Sequence, residues 1–380
     1  MKITQLHYQG LEFHEVGNGE ISDPSLASLV LGFGDKNQML NPSFYNRLSE
    51  KFPNAEIVLC SSAGEILGNS IQNETIVCTA IQFEKTMIKT SSVELKDSSE
   101  SFEMGKRLVE GFDGEDLVHI LVLSDGLIVN GSQLVKGMQA GNSTNVPITG
   151  GLAGDSINFE YTAVGLNEVP EKGKVVAIAF YGKNLDVRYS ALGGWDVFGP
   201  ERVVTKSVGT KIFEIDNRSV IELFKIYLGP YIDDKANSIL LFPLSVTLAG
   251  HQNPLVRSIL GINEQEGCIT FTGDIPEGST LRFMKANFEK LIDAAGVVAT
   301  DIIGSDINYS PKLTMIISCI GRKKVLEKRI EEEVDIVADA FGAGSFISGF
   351  YSYGEISPND FNSSCELHNQ TMTITTFHEF

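Results

Sequence analysis

The chain has 380 residues and a formal net charge of −19, so its surface repels phosphate backbones and anionic lipids, and we expect neither nucleic acid nor membrane as a partner. Its five cysteines are odd in number and include no CxxC pair, which predicts buried thiols and no disulfide framework or zinc site. No apolar run approaches the ~20 residues of a membrane span, and the amino terminus lacks the features of a secretory signal, so we predict a cytoplasmic protein.

One order of elements, namely strand, helix, strand, turn and strand, occurs three times along the chain. The first copy has a predicted strand at 26–33, a helix after Asn41 and Pro42, a strand at 56–60, a turn at 61–66 and a closing strand at 75–83. The second has a strand at 117–123, a helix at 131–141, a strand at 147–151, a turn at 152–155 and a closing strand at 158–166.

The pattern changes after the second copy. Two predicted hairpins follow, 175–181 with 185–192 and 203–207 with 211–215, and then a helix at 219–227 that stops at Gly229 and Pro230. The third copy has a strand at 313–319, a helix at 325–341, a turn at 349–356 and a closing strand at 367–377.

These elements predict an α/β protein with mixed, largely antiparallel sheets flanked by helices. Because the chain is long enough for two cores, we predict two lobes built from the repeated strand-helix-strand-strand units. We place the two domains at residues 1–218 and 219–380.

Each copy carries a glycine followed by an acid in its turn, in Gly64-Glu65, Gly154-Asp155 and Gly354-Glu355. Glycine lets a ligand approach the backbone closely, and a carboxylate beside it would hold an amine. We therefore expect the three turns to converge on one cavity. The alternative is that the glycines serve left-handed turns and the acids cap nearby amides.

Hydrogen-bonding side chains are concentrated at 365–373. If this segment is a strand, Glu366, His368 and Gln370 share one face, and His368 could be tuned within the physiological pH range. The alternative is a polar network spanning the two lobes. The candidate ligand-binding residues are Ser62, Gly64, Glu65, Gly151, Gly154, Asp155, Tyr353, Gly354, Glu355, Glu366, His368, Asn369 and Gln370.

The sequence favours a binding protein over an enzyme. GxSxG, HExxH, P-loop and GxGxxG motifs are all missing from the sequence, although Cys319 or Cys365 beside His368 could form a thiolate. We expect no metal and no resident cofactor. If haem were bound, we expect His251 or His368 to be the axial ligand; no CxxCH motif in the sequence marks an attachment site.

Several segments resemble the FIST family. Residues 193–207 resemble the end of the FIST N-terminal domain, as do 61–66 and 150–155. Residues 318–322, 349–356 and above all 366–373 resemble the FIST C-terminal domain. Trp195, in the first of these segments, is either an aromatic lid or a packing anchor.

The resemblance implies a sensory role without a catalytic output domain. A small ligand, such as an amino acid, would be bound, and the signal would pass to a separate histidine kinase or to a diguanylate cyclase or phosphodiesterase. Some family members are described as haem-binding nitric oxide sensors, and a eukaryotic branch acts in ubiquitin-ligase substrate recognition. A haem-binding nitric oxide sensor and a protein-interaction adaptor without a small ligand therefore remain alternatives. A fold alone does not fix the ligand.

Overall fold

The computed structural model describes residues 1–156, 159–229, 239–306, 308–358 and 364–380. Within these residues the strands form three six-stranded sheets and one eight-stranded sheet. Each six-stranded sheet is built around one copy of the repeat. We name the copies unit 1 (2–82), unit 2 (87–181) and unit 3 (185–192 with 288–379), and we name residues 196–285 the insert.

Unit 1 has a short helix and a longer one among its strands. Its elements are β1 (Lys2–Gln9), β2 (Glu12–Val16), β3 (Leu29–Gly34), α1 (Lys36–Met39), α2 (Pro42–Lys51), β4 (Glu56–Ser61), β5 (Glu65–Leu67), β6 (Ser70–Gln72) and β7 (Ile76–Gln82). β3 lies between β4, which is parallel to it, and β7, which is antiparallel. The predicted start of α2 is confirmed: the Asn41 side chain accepts the Ser43 N–H, and Pro42 takes the first helical position.

Unit 2 repeats this arrangement. Its elements are β8 (Met87–Glu94), α3 (Ser101–Val109), β9 (Leu117–Ser124), α4 (Gly131–Gly141), β10 (Ile148–Leu152), β11 (Val164–Leu166) and β12 (Lys174–Tyr181). β9 lies between parallel β10 and antiparallel β12. The predicted closing strand at 158–166 is wrong, because only β11 is extended there and β12 closes the unit. Residues 157 and 158 lie outside the described residues.

Unit 3 opens with β13 (Leu185–Leu192), and the insert follows. The insert contains β14 (Asp196–Val208), β15 (Lys211–Ile215), β16 (Arg218–Ser219), α5 (Val220–Leu228), β17 (Leu244–Thr247), β18 (Leu255–Arg257), β19 (Ile259–Asn263), β20 (Cys268–Phe271) and β21 (Thr280–Lys285). The predicted hairpin of 203–207 with 211–215 is confirmed, since β14 pairs with β15. Helix α5 ends at Gly229, and the predicted stop at Pro230 lies outside the described residues.

The rest of unit 3 completes the third copy. It contains α6 (Phe288–Ile303), β22 (Leu313–Cys319), α7 (Ile320–Leu326), α8 (Ile330–Phe341), β23 (Phe346–Ser352), β24 (Gly354–Pro358), β25 (Cys365–His368) and β26 (Met372–Glu379). β22 again lies between a parallel neighbour, β23, and an antiparallel one, β26.

Three predictions in and around unit 3 are wrong. The helix predicted at 325–341 is two helices, α7 and α8, separated by a 3-10 turn. Residues 365–373 are not one strand, because β25 ends at His368 and Gln370 has a φ of 59°. The hairpin predicted from 175–181 and 185–192 does not form, because β12 pairs with β8 and β9 while β13 pairs with β26 in another sheet.

The three units exchange strands in a cycle. The strand that follows each turn pairs with a neighbouring unit: β5 of unit 1 with β23 of unit 3, β24 of unit 3 with β10 of unit 2, and β11 of unit 2 with β4 of unit 1. The division at 218/219 stays a prediction about domains, but strand pairing crosses it at β5–β23, β10–β24 and β13–β26.

The inner faces of the three sheets share one hydrophobic core. Leu31 of β3, Leu121 of β9 and Ile317 of β22 belong to this core, and Phe33 of β3 stacks on Phe350 of β23 with ring centroids 4.7 Å apart. Helices cover the other faces, so β3 and β22 are buried along their whole length. This explains why these strands read as continuous apolar runs without alternation.

Candidate ligand-binding site

The three glycine-acid turns lie together where the units meet. The Ala63 N–H donates to the Tyr351 carbonyl at 2.8 Å, the Tyr353 N–H to the Leu152 carbonyl at 3.1 Å, and the Gly154 N–H to the Ser61 carbonyl at 3.0 Å. Each turn therefore donates to a different unit, in the same cyclic order as the strand exchange. At Gly154 an added Cβ would lie 2.9 Å from the Ala63 nitrogen, so only glycine permits this approach.

Two of the turns hold a buried glutamate in the same way. Ser62 Oγ donates to Glu65 Oε1 at 2.5 Å, and Ser352 Oγ donates to Glu355 Oε1 at 2.6 Å. Burial raises the pKa of each carboxyl to about 7, although these hydroxyl hydrogen bonds oppose the shift. The serine and the glutamate that the two turn sequences share therefore form the same hydrogen bond in both turns.

A cavity of about 650 Å³ opens beside the turn of unit 1. It lies between this turn, the start of α7 and the residues that follow α7. Its lining residues are Asp35, Ser62, Ala63, Gly64, Glu65, Ile71, Asn73, Glu74, Asp155, Ser156, Ile320, Lys323, Lys324, Glu327, Lys328, Ile330 and Glu331.

The cavity gathers four of the predicted site residues. They are Ser62, Gly64, Glu65 and Asp155. The other nine do not line it; they are Gly151, Gly154, Tyr353, Gly354, Glu355, Glu366, His368, Asn369 and Gln370. The turn of unit 3 thus meets the other turns through its backbone, while its own acid, Glu355, is fully buried against Ser352 and Thr371.

Lys323, on α7, is one of the thirteen cavity residues that the sequence did not predict. Its Nζ donates to the Ala63 carbonyl at 2.7 Å and to Asn73 Oδ1 at 2.5 Å. Gly64, with a φ of 136°, leaves the space that this amine occupies. Burial lowers the pKa of Lys323 to about 8 despite the opposing charge of Glu65. The only available signal was its position directly after the 318–322 motif.

Asp155 is held mainly by backbone N–H groups a few residues after it in the sequence. Its carboxylate accepts the N–H groups of Phe159, Glu160 and Tyr161 at 3.0, 2.8 and 2.7 Å, and it also accepts the Tyr353 hydroxyl. Lys36 Nζ lies 2.9 Å away. Burial opposes ionisation, but these hydrogen bonds hold the pKa of Asp155 below its usual range. Asp155 therefore connects residues 159–161 to the wall of the cavity.

His368 is a buried structural histidine. Its Nε2 lies 2.9 Å from the Ser357 carbonyl, and because a carbonyl only accepts, this ring nitrogen carries the proton. Burial lowers the pKa of His368 to about 4, so the ring is neutral. Glu366 is half-buried and faces His251, with 3.8 Å between Oε1 and Nδ1. Burial raises the pKa of the Glu366 carboxyl.

Asn369 and Gln370 connect unit 3 to the insert and the segment before it. Asn369 Oδ1 accepts from the Thr272 hydroxyl at 2.6 Å, and Gln370 Nε2 donates to the Leu240 carbonyl at 3.0 Å. The indole N–H of Trp195 donates to the Gln370 carbonyl at 2.8 Å, and Trp195 is 8% exposed. Asn369 and Gln370 thus take part in a polar network between unit 3 and the insert. The contacts of Trp195 are those of a packing anchor.

Comparisons with known proteins agree with the resemblance noted above. The FIST N domain model matches residues 28–218, and the FIST C domain model matches residues 221–358. No curated protein matches the sequence.

Two solved structures align with nearly the whole chain, but their sequence identities and TM-scores are low. Cyanuric acid hydrolase from A. caulinodans is 7% identical, with a TM-score of 0.37, over 94% of this chain and 92% of the hydrolase. A chorismatase is 7% identical, with a TM-score of 0.34, over 99% of both chains. No helix among the described residues is long and apolar enough to span a membrane. Since the two domain models together match most of its length, the chain belongs to the FIST family, whose domains are sensory domains of signal transduction proteins.

Proposed function

We propose that this protein is a cytoplasmic sensor that binds an amino-acid-like molecule in the cavity beside Gly64 and signals to a separate protein. The observation that carries the proposal is the presence of Glu65 and Lys323 at the wall of one open cavity, at the junction of units 1 and 3. A volume of about 650 Å³ lies within the range of about 300 to 1,000 Å³ typical of small-molecule sites. An open cavity also supports a small ligand over an adaptor with a filled cleft.

The charges of the cavity suit a molecule with both an ammonium and a carboxylate group. Unit 1 contributes the acids Asp35, Glu65 and Glu74, whereas α7 and the residues after it contribute Lys323, Lys324 and Lys328 together with the acids Glu327 and Glu331. Neither Lys324 nor Lys328 forms an ion pair within the described chain, so both are available to a ligand carboxylate. The acids on the opposite wall would receive the ammonium group.

The position of the cavity supports a signalling role. One wall belongs to unit 1 and another to α7, so an occupant that contacts both walls favours one placement of α7 over others. Arg322, adjacent to Lys323, donates to the Gly193 carbonyl at 2.5 Å and to the Leu291 carbonyl at 2.7 Å. A displacement of α7 would therefore reach α6 and the strand that leads into the insert. We propose a histidine kinase, diguanylate cyclase or phosphodiesterase as the receiver.

The proposal is tested by thermal shift and calorimetry with a panel of amino acids and other small metabolites. We expect at least one amino acid to raise the melting temperature of the wild-type protein. Glu65→Gln and Lys323→Met should each weaken the affinity for this amino acid by about tenfold or more, because each removes from the cavity wall one charge that complements the ligand.

Glu366→Gln is the matched control, because Glu366 is a half-buried acid that does not line the cavity. Its affinity for the same amino acid should equal that of the wild type. The proposal would be contradicted if an amino acid bound more weakly to Glu366→Gln but bound to both cavity variants as tightly as to the wild type. The ligand would then lie elsewhere.

A further inference from the structure

The amine of Lys323 has an arrangement of neighbours that differs from that of an ordinary lysine ion pair. We propose that Lys323 forms a reversible imine with 2-oxo acids that enter the cavity. This inference rests on the same cavity as the proposed function but adds a covalent step and a second class of ligand. The argument starts from the hydrogen bonds of Nζ.

A neutral amine has two N–H bonds and one lone pair. Lys323 Nζ has two hydrogen-bond acceptors, the Ala63 carbonyl and Asn73 Oδ1, which take both N–H groups and leave the lone pair unused. Within the described residues Lys323 forms no ion pair that would hold it as an ammonium. Lys36 is the contrast, since its Nζ lies 2.9 Å from Asp155 and 3.5 Å from Glu160.

The surroundings enlarge the neutral fraction of the amine, although the ammonium form still predominates at pH 7. Burial lowers the pKa of Lys323 from 10.5 to about 8, which enlarges the neutral fraction near neutral pH by on the order of a hundredfold. The groups that face it are Glu65, which opposes this shift, Lys324, which adds to it, and the Tyr351 ring, whose centroid lies 5.2 Å from Nζ. A desolvated lysine next to another cation is a recognised form of activated amine nucleophile.

Glu65 supplies the proton relay that imine formation needs. The lone pair of Nζ attacks the carbonyl carbon and forms a C–N bond, while the carbonyl oxygen takes a proton and becomes a hydroxyl group. Nitrogen then loses a proton, and the hydroxyl leaves as water after a second protonation, which gives a protonated imine. Loss of its N–H proton leaves the neutral C=N bond. The sum is amine plus carbonyl giving imine plus water, with no change of oxidation state. Glu65, whose pKa burial raises to about 7, can donate and accept these protons near neutral pH.

The charge of the wall selects the class of carbonyl compound. Lys324 and Lys328 line the same cavity as Lys323, and their wall also carries Glu327 and Glu331. The two lysines are the groups on that wall that a carboxylate next to the reacting carbonyl would contact. A 2-oxo acid carries a carboxylate in that position, whereas a simple aldehyde does not. We therefore assign 2-oxo acids over uncharged aldehydes.

The test is reductive trapping of the full chain with pyruvate and cyanoborohydride near neutral pH, followed by peptide mass spectrometry. We expect Lys323 to gain the mass of pyruvate less water plus one molecule of hydrogen, at least about tenfold faster than Lys324 or Lys36. Lys323→Arg should lose this modification and keep the wild-type circular dichroism spectrum. Modification of all three lysines at similar rates, or none at Lys323, would overturn the proposal.

A second arm tests the assigned ligand class. Lys328→Gln should slow trapping of pyruvate at Lys323 several-fold and leave trapping of acetaldehyde unchanged, because Lys328 lines the cavity but is not among the charges that shift the pKa of Lys323. Equal slowing with both probes would contradict the assignment of 2-oxo acids. The trapping result also separates this inference from the proposed function: an amino-acid thermal shift without trapping at Lys323 defeats the imine alone, whereas trapping without any amino-acid hit defeats the amino-acid sensor alone.

Discussion

Glu65 and Glu355 are equivalent residues with different surroundings. Each accepts a hydrogen bond from the serine three residues before it, and burial raises the pKa of each to about 7. Glu65 lines the cavity, while Glu355 accepts the Thr371 hydroxyl at 2.7 Å and Thr371 N–H at 3.2 Å. The same turn therefore borders an open cavity in unit 1 and is fully buried in unit 3.

The buried acid Glu355 makes stability depend on pH. Its folded-state pKa of about 7 exceeds the ordinary value of 4.5, so between these values the folded protein binds more protons than the unfolded chain, and stability falls as pH rises. Ionisation above pH 7 should cost up to about 3 kcal/mol. Glu355→Gln should remove this cost, so its unfolding free energy should decline less than that of the wild type between pH 5 and 8.

Urea unfolding across this pH range is the measurement, with Glu103→Gln as the control because Glu103 is exposed on α3. The control profile should follow the wild type. A Glu355→Gln profile parallel to that of the wild type would show that Glu355 is ionised at low pH and that the argument is wrong.

Sequence patterns predicted residue types better than residue roles. Ser62, Gly64, Glu65 and Asp155 could be found because their turns repeat along the chain. Lys323 could not, since its environment is created by Ala63 and Asn73, which are distant in sequence and arrive only through the strand exchange. The roles expected for His368 and Gln370 depended on a continuous strand, which the positive φ of Gln370 interrupts.

At the scale of elements, α7 is held in place by a buried ion pair with α8. Arg322 and Glu333 are both fully buried, and their charged atoms lie 2.8 Å apart. Glu333 also accepts the Ser318 hydroxyl at 3.1 Å and the Tyr351 hydroxyl at 3.0 Å. This network joins α7, α8, β22 and β23, so it fixes the wall of the cavity that carries Lys323.

Removing one member of this pair should be costly. Arg322→Met leaves the Glu333 carboxylate buried without its partner, and we expect a loss of about 3 to 5 kcal/mol in the free energy of unfolding. The double variant Arg322→Met/Glu333→Leu should be less destabilised than Arg322→Met alone, because no unpaired charge is left.

Arg329→Met is the matched control, since Arg329 pairs with Glu332 and Glu289 at the surface. Such exposed pairs contribute little to stability because solvent screens them. Urea unfolding of the four proteins decides the matter, and a loss for Arg322→Met no larger than that for Arg329→Met would contradict this account.

Local signals explain which elements were predicted well. The bounds of α4 and the start of α2 depend on Asn130 and Asn41, whose side chains cap the helices. The break between α7 and α8 was missed because Leu326, Ile330, Val334 and Val337 keep a helical spacing across it. The spacing of apolar residues does not reveal that Glu327 has a positive φ, which is 47°.

At the scale of the molecule, the strand exchange makes the three units depend on one another. Residues 1–218 contain β5, β10 and β13, but their partners β23, β24 and β26 all lie beyond residue 219. A chain cut at this point leaves three strands with unpaired edges. No local pattern could have predicted these pairings, because each joins segments far apart in sequence.

Expression of separate fragments tests this dependence and the predicted domain division together. Residues 1–218 alone should aggregate or unfold without cooperativity, because their sheets are incomplete. Coexpression with residues 219–380 should yield a one-to-one complex with the near-ultraviolet circular dichroism spectrum of the intact chain. Size-exclusion chromatography and thermal melting are the measurements. A monomeric 1–218 fragment with a sharp melting transition would show that the first domain is independent.

The pairing of β5 with β23 also sets when the protein can be completed during its synthesis. Leu67 of β5 lies opposite Ser348 of β23, so the ribosome must add most of the chain after β5 emerges before its partner exists. At synthesis rates of about 5 to 20 residues per second this takes on the order of tens of seconds. Throughout that interval the nascent chain presents an open strand edge, which makes it a client for chaperones that bind during translation.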